Sequence, residues 1–319
     1  MNVLKEAPSV LQALLVRGAI RLVLALPYRW ALSIGRVLGL FTWAVLPTRR
    51  RLVEVQARSA IGEEATRSFV LKVFMNQGEI LVDTIRYAFM DEDELKSRIR
   101  IEGRENLEEA LEQGRGVMMI TGHIGNWEIL SNLPRLVGIQ FCVMADRRED
   151  ERLEAVIDGI RRRSGATILP PKGKALMLVK ELRKGRLIGM VVDQRGRRRD
   201  NLFCDVFGMP APTNPAPAFI AIKGDALVLP VYAMKEEGGY VIRFDPLVDT
   251  RRFSPGADGI EALSRFMQTW VSTTVRKNPT WWFWLHSRWI KRKTFRSLAR
   301  SGGDFRALVR SMNRPVTRE

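Results

Sequence analysis

A chain of 319 residues, 46% of them hydrophobic, can build one large domain or two small ones around a substantial core. Its 52 basic against 35 acidic side chains, a net +17, fit a polyanionic partner: nucleic acid, an anionic membrane, phosphorylated lipids or an acidic carrier protein. Two histidines and two cysteines, with no Cys-x-x-Cys or His-Glu-x-x-His pairing, exclude an ordinary zinc site, and neither a P-loop nor a Gly-x-Ser-x-Gly elbow is present.

The N-terminus carries two apolar runs, Val10 to Leu26 and Trp30 to Leu46, interrupted by Arg17, Arg21 and Arg36 and stopped by Pro27 and Pro47. Neither offers the roughly 20 unbroken apolar residues of a spanning helix. They predict amphipathic helices in or on a bilayer, followed by Arg49-Arg50-Arg51, a basic cluster of the kind found on a cytoplasmic membrane face. A helical hairpin packed on the next domain fits the same pattern, and both hold if one face packs. Deleting this segment is expected to release a domain that keeps some turnover if it still folds.

Residues 65–90 read as a long helix. Gly116 to Thr121 is a continuous apolar run suited to a buried strand, 126–136 a helix stopped near Gly138, and Gln140 to Ala145 a strand. Leu153, Val156, Ile157 and Ile160 share a helical face; Ala166 to Leu169 is a short strand, Lys172 to Lys184 a helix and Leu187 to Val192 a buried strand. Ala226 to Ala233 and Tyr240 to Phe244 read as strands, and Gly259 to Val275 as a helix. Cys142 and Cys204, beside apolar residues, read as buried free thiols. The alternation predicts an α/β fold: a mixed, mostly parallel sheet flanked by helices, with an N-terminal membrane-associated helical segment (1–48), an α/β domain (49–295) and a basic tail (296–319), partly flexible or surface-bound.

Chemistry concentrates in Thr121-Gly122-His123-Ile124-Gly125-Asn126-Trp127-Glu128, after a buried strand and before a helix, where α/β proteins place their sites. The His-x-x-x-x-Glu spacing lets Glu128 reach back to one imidazole nitrogen and leaves the other facing substrate as a base. A core histidine bonded to a helix-capping acid fits that spacing equally well.

Gly122 to Glu128 resembles the first catalytic block of the lysophospholipid acyltransferase superfamily, in the form Gly-His-x-Gly-Asn-Trp-Glu of the bacterial lipid A late acyltransferases. The likeness continues in order. Val143 to Arg148, with Arg161-Arg162-Arg163-Ser164-Gly165, is similar to the family's strand, arginine and Arg-x-Arg-x-Gly block. Val191-Val192-Asp193-Gln194 and Phe207-Gly208-Met209-Pro210-Ala211-Pro212-Thr213 resemble its Asp-Gln block. Asn278 to Trp289 resembles its closing Pro-x-x-Trp-x-Trp-x-His-x-Arg signature, with Ser287 where the family usually has arginine.

The resemblance implies direct acyl transfer without an acyl-enzyme. His123 takes the proton of an acceptor hydroxyl and Glu128 holds His123. Arg147, Arg161 and Arg163 are the implied phosphate clamps, and Asn126, Asp193 and Gln194 the implied acceptor contacts, although Asp193 also suits loop capping. His286 reads as structural. Trp281, Trp282, Trp284 and Trp289 either line an acyl channel or membrane interface, or pack a core. No cofactor or metal is expected beyond an acyl-carrier-protein or coenzyme A thioester as donor. The implied partners are membrane lipids, acyl carrier protein and a phosphorylated glycolipid such as a lipid A precursor, with a phosphatidylinositol mannoside as the alternative acceptor. Nucleic acid is not expected, and the implied location is the cytoplasmic face of the inner membrane.

Overall fold

The computed structural model describes residues 3–144, 159–169, 175–196 and 201–313. Its centre is a sheet of β1 (Ile99–Glu102), β2 (Val117–Thr121), β3 (Phe141–Met144), β4 (Thr167–Leu169), β5 (Leu187–Val191), β8 (Leu227–Glu236), β9 (Gly239–Phe244) and β10 (Val248–Asp249). The order is β1-β9-β8-β2-β5-β3-β4, with β10 paired to β8. Pairing is parallel except where β8 meets β9 and β10, so the sheet is mixed and mostly parallel, as expected.

The strand β2 is apolar throughout because helices cover both faces of the sheet. Met118 and Ile120 point into one core and Val117 and Met119 into the other, the two-residue alternation of a strand. Its partner β5 is in register with it, Thr121 opposite Val191. Both chains leave the sheet at the same level, which places His123 and Asp193, each two residues further on, side by side.

The two N-terminal runs form α1 (Val3–Ala25) and α2 (Tyr28–Val45). Among the described residues no single helix is long and apolar enough to cross a membrane; α2 bends by 95° into the next helical stretch, Pro47–Glu64, which begins with α3 (Pro47–Ile61). Trp30, Val37 and Phe41 on α2 stand 69%, 60% and 61% exposed, an apolar face with no protein partner. The opposite face of α2 is pressed onto α4 (Arg67–Phe89), whose start is capped by Thr66 Oγ1 accepting from Phe69 N. A Cβ on Gly78 of α4 would lie 1.9 Å from the Gly35 carbonyl oxygen, so the two backbones touch. α2 thus packs closely on α4, across the expected boundary at residue 48.

Several elements depart from the sequence expectation. Residues 126–136 are not one helix but a 3₁₀ stretch, Trp127–Asn132, followed by α7 (Leu133–Val137), because Pro134 can donate no hydrogen bond back into a continuous helix. The Asp-Gln block continues into an unpredicted hairpin of β6 (Leu202–Val206) and β7 (Met209–Thr213), turned at Phe207 and Gly208 with φ 57° and 76°. The described part of the tail forms helices Arg292–Ser301 and Phe305–Met312, which bury Phe295, Phe305 and Val309. Ala145 and most of the expected 153–160 helix lie outside the described residues; 159–163 are helical.

Candidate active site

His123 sits in a loop fastened on both sides. Gly125 N donates to Trp281 O (2.9 Å), Phe283 N to His123 O (3.0 Å) and Asn126 N to Ala233 O of β8 (3.0 Å). Gly125 has φ 57° and a Cβ there would meet Ala233 O at 2.0 Å, so only glycine lets the loop lie on β8.

The imidazole is held by Asp193. Its Nδ1 lies 2.7 Å from Asp193 Oδ1, while Asp193 Oδ2 accepts from His123 N and from Trp282 Nε1, both at 2.7 Å. A buried carboxylate receiving that many donors stays ionised. Burial pushes its pKa up, but the facing histidine and the hydrogen bonds win and bring it down to about 2. For His123, burial lowers the pKa, but the Asp193 charge and hydrogen bond, with a contribution from Glu128, leave it above the ordinary value of 6.5. An ionised Asp193 selects the tautomer with the proton on Nδ1. The lone pair then sits on Nε2, which meets the Gln194 side-chain amide at 3.1 Å. Trp127 stands edge-on to the ring at 4.6 Å and Phe283 lies 5.9 Å away, so aromatic groups frame the base.

Glu128 does not hold His123, contrary to the sequence expectation. It pairs with Arg161, Nη2 to Oε1 at 3.2 Å. The 3₁₀ turn that replaces the expected helix start leads its carboxylate away from Nδ1, and Asp193 already occupies that position. Glu128 still acts on the imidazole through its charge.

The other expected contacts divide. Asp193 and Gln194 are at the centre, each within hydrogen-bond distance of the His123 imidazole. Asn126 is 0% exposed and accepts from Thr84 Oγ1 of α4 at 3.1 Å. It ties the His123 loop to α4. Arg161 lines the site through Glu128, and the Arg163 guanidinium lies over Phe89 at 4.4 Å. Arg147 lies outside the described residues.

The tryptophans resolve into a core: Trp282, Trp284 and Trp289 are buried, with Trp282 edge-on to Trp284 at 4.6 Å. Sequence reasoning gave too little to Trp282, which also donates to Asp193, and to Arg288. That guanidinium is buried and donates to Pro212 O, Thr213 Oγ1 and Gln268 Oε1; burial lowers its pKa to about 10. His286 is half-buried; its Nε2 accepts from Arg195 N (3.1 Å), and burial lowers its pKa to about 4, so it stays neutral. It thereby holds the backbone just after Gln194. Among the described residues no group of three or more acidic, histidine or cysteine side chains is placed to hold a metal.

The model of the bacterial lipid A biosynthesis acyltransferase family matches residues 4–291, so the chain belongs to that family and is an acyltransferase. It is 25% identical to the phosphatidylinositol mannoside acyltransferase of Mycolicibacterium smegmatis over 65% of this chain and 68% of that one. It is also 25% identical to the lipid A biosynthesis lauroyltransferase of Escherichia coli, over 86% of this chain and 90% of the other. Among solved structures, the 1-acyl-sn-glycerophosphate acyltransferase of Thermotoga maritima superposes with a TM-score of 0.39 at 14% identity, over 79% of this chain and 99% of that one.

Proposed function

We propose that this family member moves a fatty-acyl chain from an acyl-carrier-protein thioester to a hydroxyl of a lipid A precursor at the cytoplasmic face of the inner membrane. His123 is the base and Asp193 its positioning residue. The acceptor hydroxyl takes the place of the Gln194 amide at Nε2, gives its proton to the imidazole and attacks the thioester carbonyl. The tetrahedral intermediate collapses by breaking the carbon–sulfur bond; the thiolate leaves and takes back a proton. Asp193 stabilises the imidazolium between those steps. Glu128 and Arg161 form a second charged pair beside the base, placed to orient a phosphorylated acceptor. The carrying observation is the His123–Asp193 contact at 2.7 Å, with Nε2 directed to a polar partner.

The apolar face of α2 and the Arg49 to Arg51 cluster beside it support attachment to an anionic membrane surface, the apolar side chains entering the lipid and the guanidiniums meeting headgroups. A phosphatidylinositol mannoside is the second acceptor reading, favoured by the Mycolicibacterium relative, and it uses the same base.

Purified protein offered each acceptor with acyl carrier protein or coenzyme A thioesters decides among these. Product from the lipid A precursor with the carrier-protein donor supports the first reading. Turnover confined to the mannoside, or to coenzyme A thioesters, overturns it.

A further inference from the structure

We propose that the cavity between Trp43, Arg50 and Arg67 is a binding site for the phosphate headgroup of an anionic membrane phospholipid, separate from the acyl-transfer cleft. The cavity holds about 340 Å³ and is lined by Trp43, Arg50, Glu54, Arg67 and Val70. None of these residues lines the crevice at His123 and Asp193.

Two guanidiniums lie over one indole: Arg50 at 4.8 Å and Arg67 at 5.4 Å from the Trp43 ring centre. Stacking fixes their planes and leaves their N–H edges free for oxygen ligands. Neither takes part in an ion pair among the described residues, and the only acid lining the cavity, Glu54, is bound to Arg51 at 3.0 Å. The cavity therefore holds two cations that no described carboxylate pairs with, beside one acid engaged by Arg51. Two guanidinium forks suit a phosphate.

Location selects the lipid. The cavity opens where α2 ends and the chain turns by 95° into α3. Phe41, Val45 and Leu46, at 61%, 49% and 42% exposure, continue from it along α2 as an unpartnered apolar row. A headgroup in the cavity places acyl chains along that row. An acidic protein helix would need an exposed row of cations rather than a recess. The assignment does not depend on how His123 works.

The test uses the full chain with phosphatidylglycerol as probe, phosphatidylcholine as comparison and glycerol 3-phosphate as soluble competitor. Native mass spectrometry of protein extracted from mixed vesicles should show one phosphatidylglycerol retained per chain. The double variant Arg50→Lys with Arg67→Lys keeps the charge but not the planar forks. It should lose at least about fivefold of that retention. Trp43→Leu, which removes the ring that both guanidiniums lie over, should lose about threefold, and it decides the matter if the lysine variant melts too low to use. Equal retention in wild type and both variants overturns the site, as does equal retention of phosphatidylcholine. Displacement of the lipid by millimolar glycerol 3-phosphate also overturns it, since that marks a free-anion site.

Discussion

Replacing Asp193 by Asn tests the site at its most constrained point. Three donors converge on the two carboxylate oxygens: His123 Nδ1 on one, His123 N and Trp282 Nε1 on the other. An asparagine has a single acceptor oxygen. If that oxygen keeps the two Oδ2 donors, the amide NH₂ faces Nδ1 and forces the proton to Nε2, leaving no base. If it faces Nδ1, two buried donors meet an NH₂, at about 1–3 kcal/mol each. The first arrangement is the cheaper, so the variant should fold with the wrong tautomer and lose about 10³- to 10⁴-fold in kcat. Stability should fall too. The carboxyl pKa drops from 3.8 to about 2, which at 1.36 kcal/mol per unit corresponds to roughly 2–3 kcal/mol. A depressed carboxylate contributes fully above 3.8, and the contribution is lost as pH falls toward 2. The variant should therefore be less stable than wild type at neutral pH, with the gap closing in acid. Turnover of labelled acyl thioester, with urea melts at several pH values, reads both effects. An Asp193→Asn enzyme within tenfold of wild type, while Glu128→Gln is dead, would show that Glu128 is the working partner of His123.

Four further outcomes follow from the same geometry. Because the His123 pKa is raised above 6.5 and the base must be neutral, the acid limb of kcat/KM should lie above pH 6.5, and Asp193→Asn should abolish or shift it downward; a limb near 4 in wild type contradicts this. Glu128→Gln and Arg161→Ala should each cost about tenfold and combine to little more, since a shared pair is lost once; fully multiplicative losses would mean independent roles. Gly78→Ala should force α2 off α4 and cost about 1–3 kcal/mol, read by melting and by proteolysis of α2; an unchanged melt refutes the close crossing. Deleting residues 1–46 should unfold or aggregate the protein instead of releasing the active domain expected from sequence, because it strips Arg36 from Glu79 and Tyr28 from Asp83; a soluble, cooperatively melting product contradicts this.

The elements legible in the sequence are those whose burial is two-sided or strongly periodic. β2 and β5 are continuous apolar runs because the sheet is covered on both faces, and α4 shows its apolar period over more than five turns. The position of His123 after β2 was legible from its glycine-flanked loop. Its partner was not, because spacing reports only local neighbours: Asp193 is 70 residues away and arrives through the register of Thr121 with Val191. The hairpin β6–β7 was hidden by Pro210 and Pro212, tolerated because this two-stranded ribbon lies outside the main sheet. The tail helices did carry a signal, Phe305, Leu308 and Val309 at helical spacing, but strong positive charge masked it.

One helix connects the exposed apolar surface of α2 to the loop that carries His123. A polar row on α4 reaches α2 through Glu79 to Arg36 (2.6 Å) and Asp83 to Tyr28 (2.9 Å). The same two carboxylates bind Lys235 of β8 at 2.7 and 2.8 Å, and Asp83 accepts from Tyr240 of β9 at 2.7 Å. Further along the row, Asn76 donates to Thr280 O at 3.0 Å and Thr84 to Asn126 at 3.1 Å, the two segments that frame His123. Buried charges of this kind add little net stability over apolar packing, since desolvation offsets the attraction. Directional bonds instead permit one register where apolar packing would tolerate sliding. A shift of α2 along α4 would strand Glu79 and Asp83 without partners, at several kcal/mol for a broken buried pair. The apolar face of α2 and the imidazole of His123 are thus held at a fixed separation. On the proposed function, with a lipid acceptor at a membrane surface, that separation would set the depth at which His123 meets a hydroxyl.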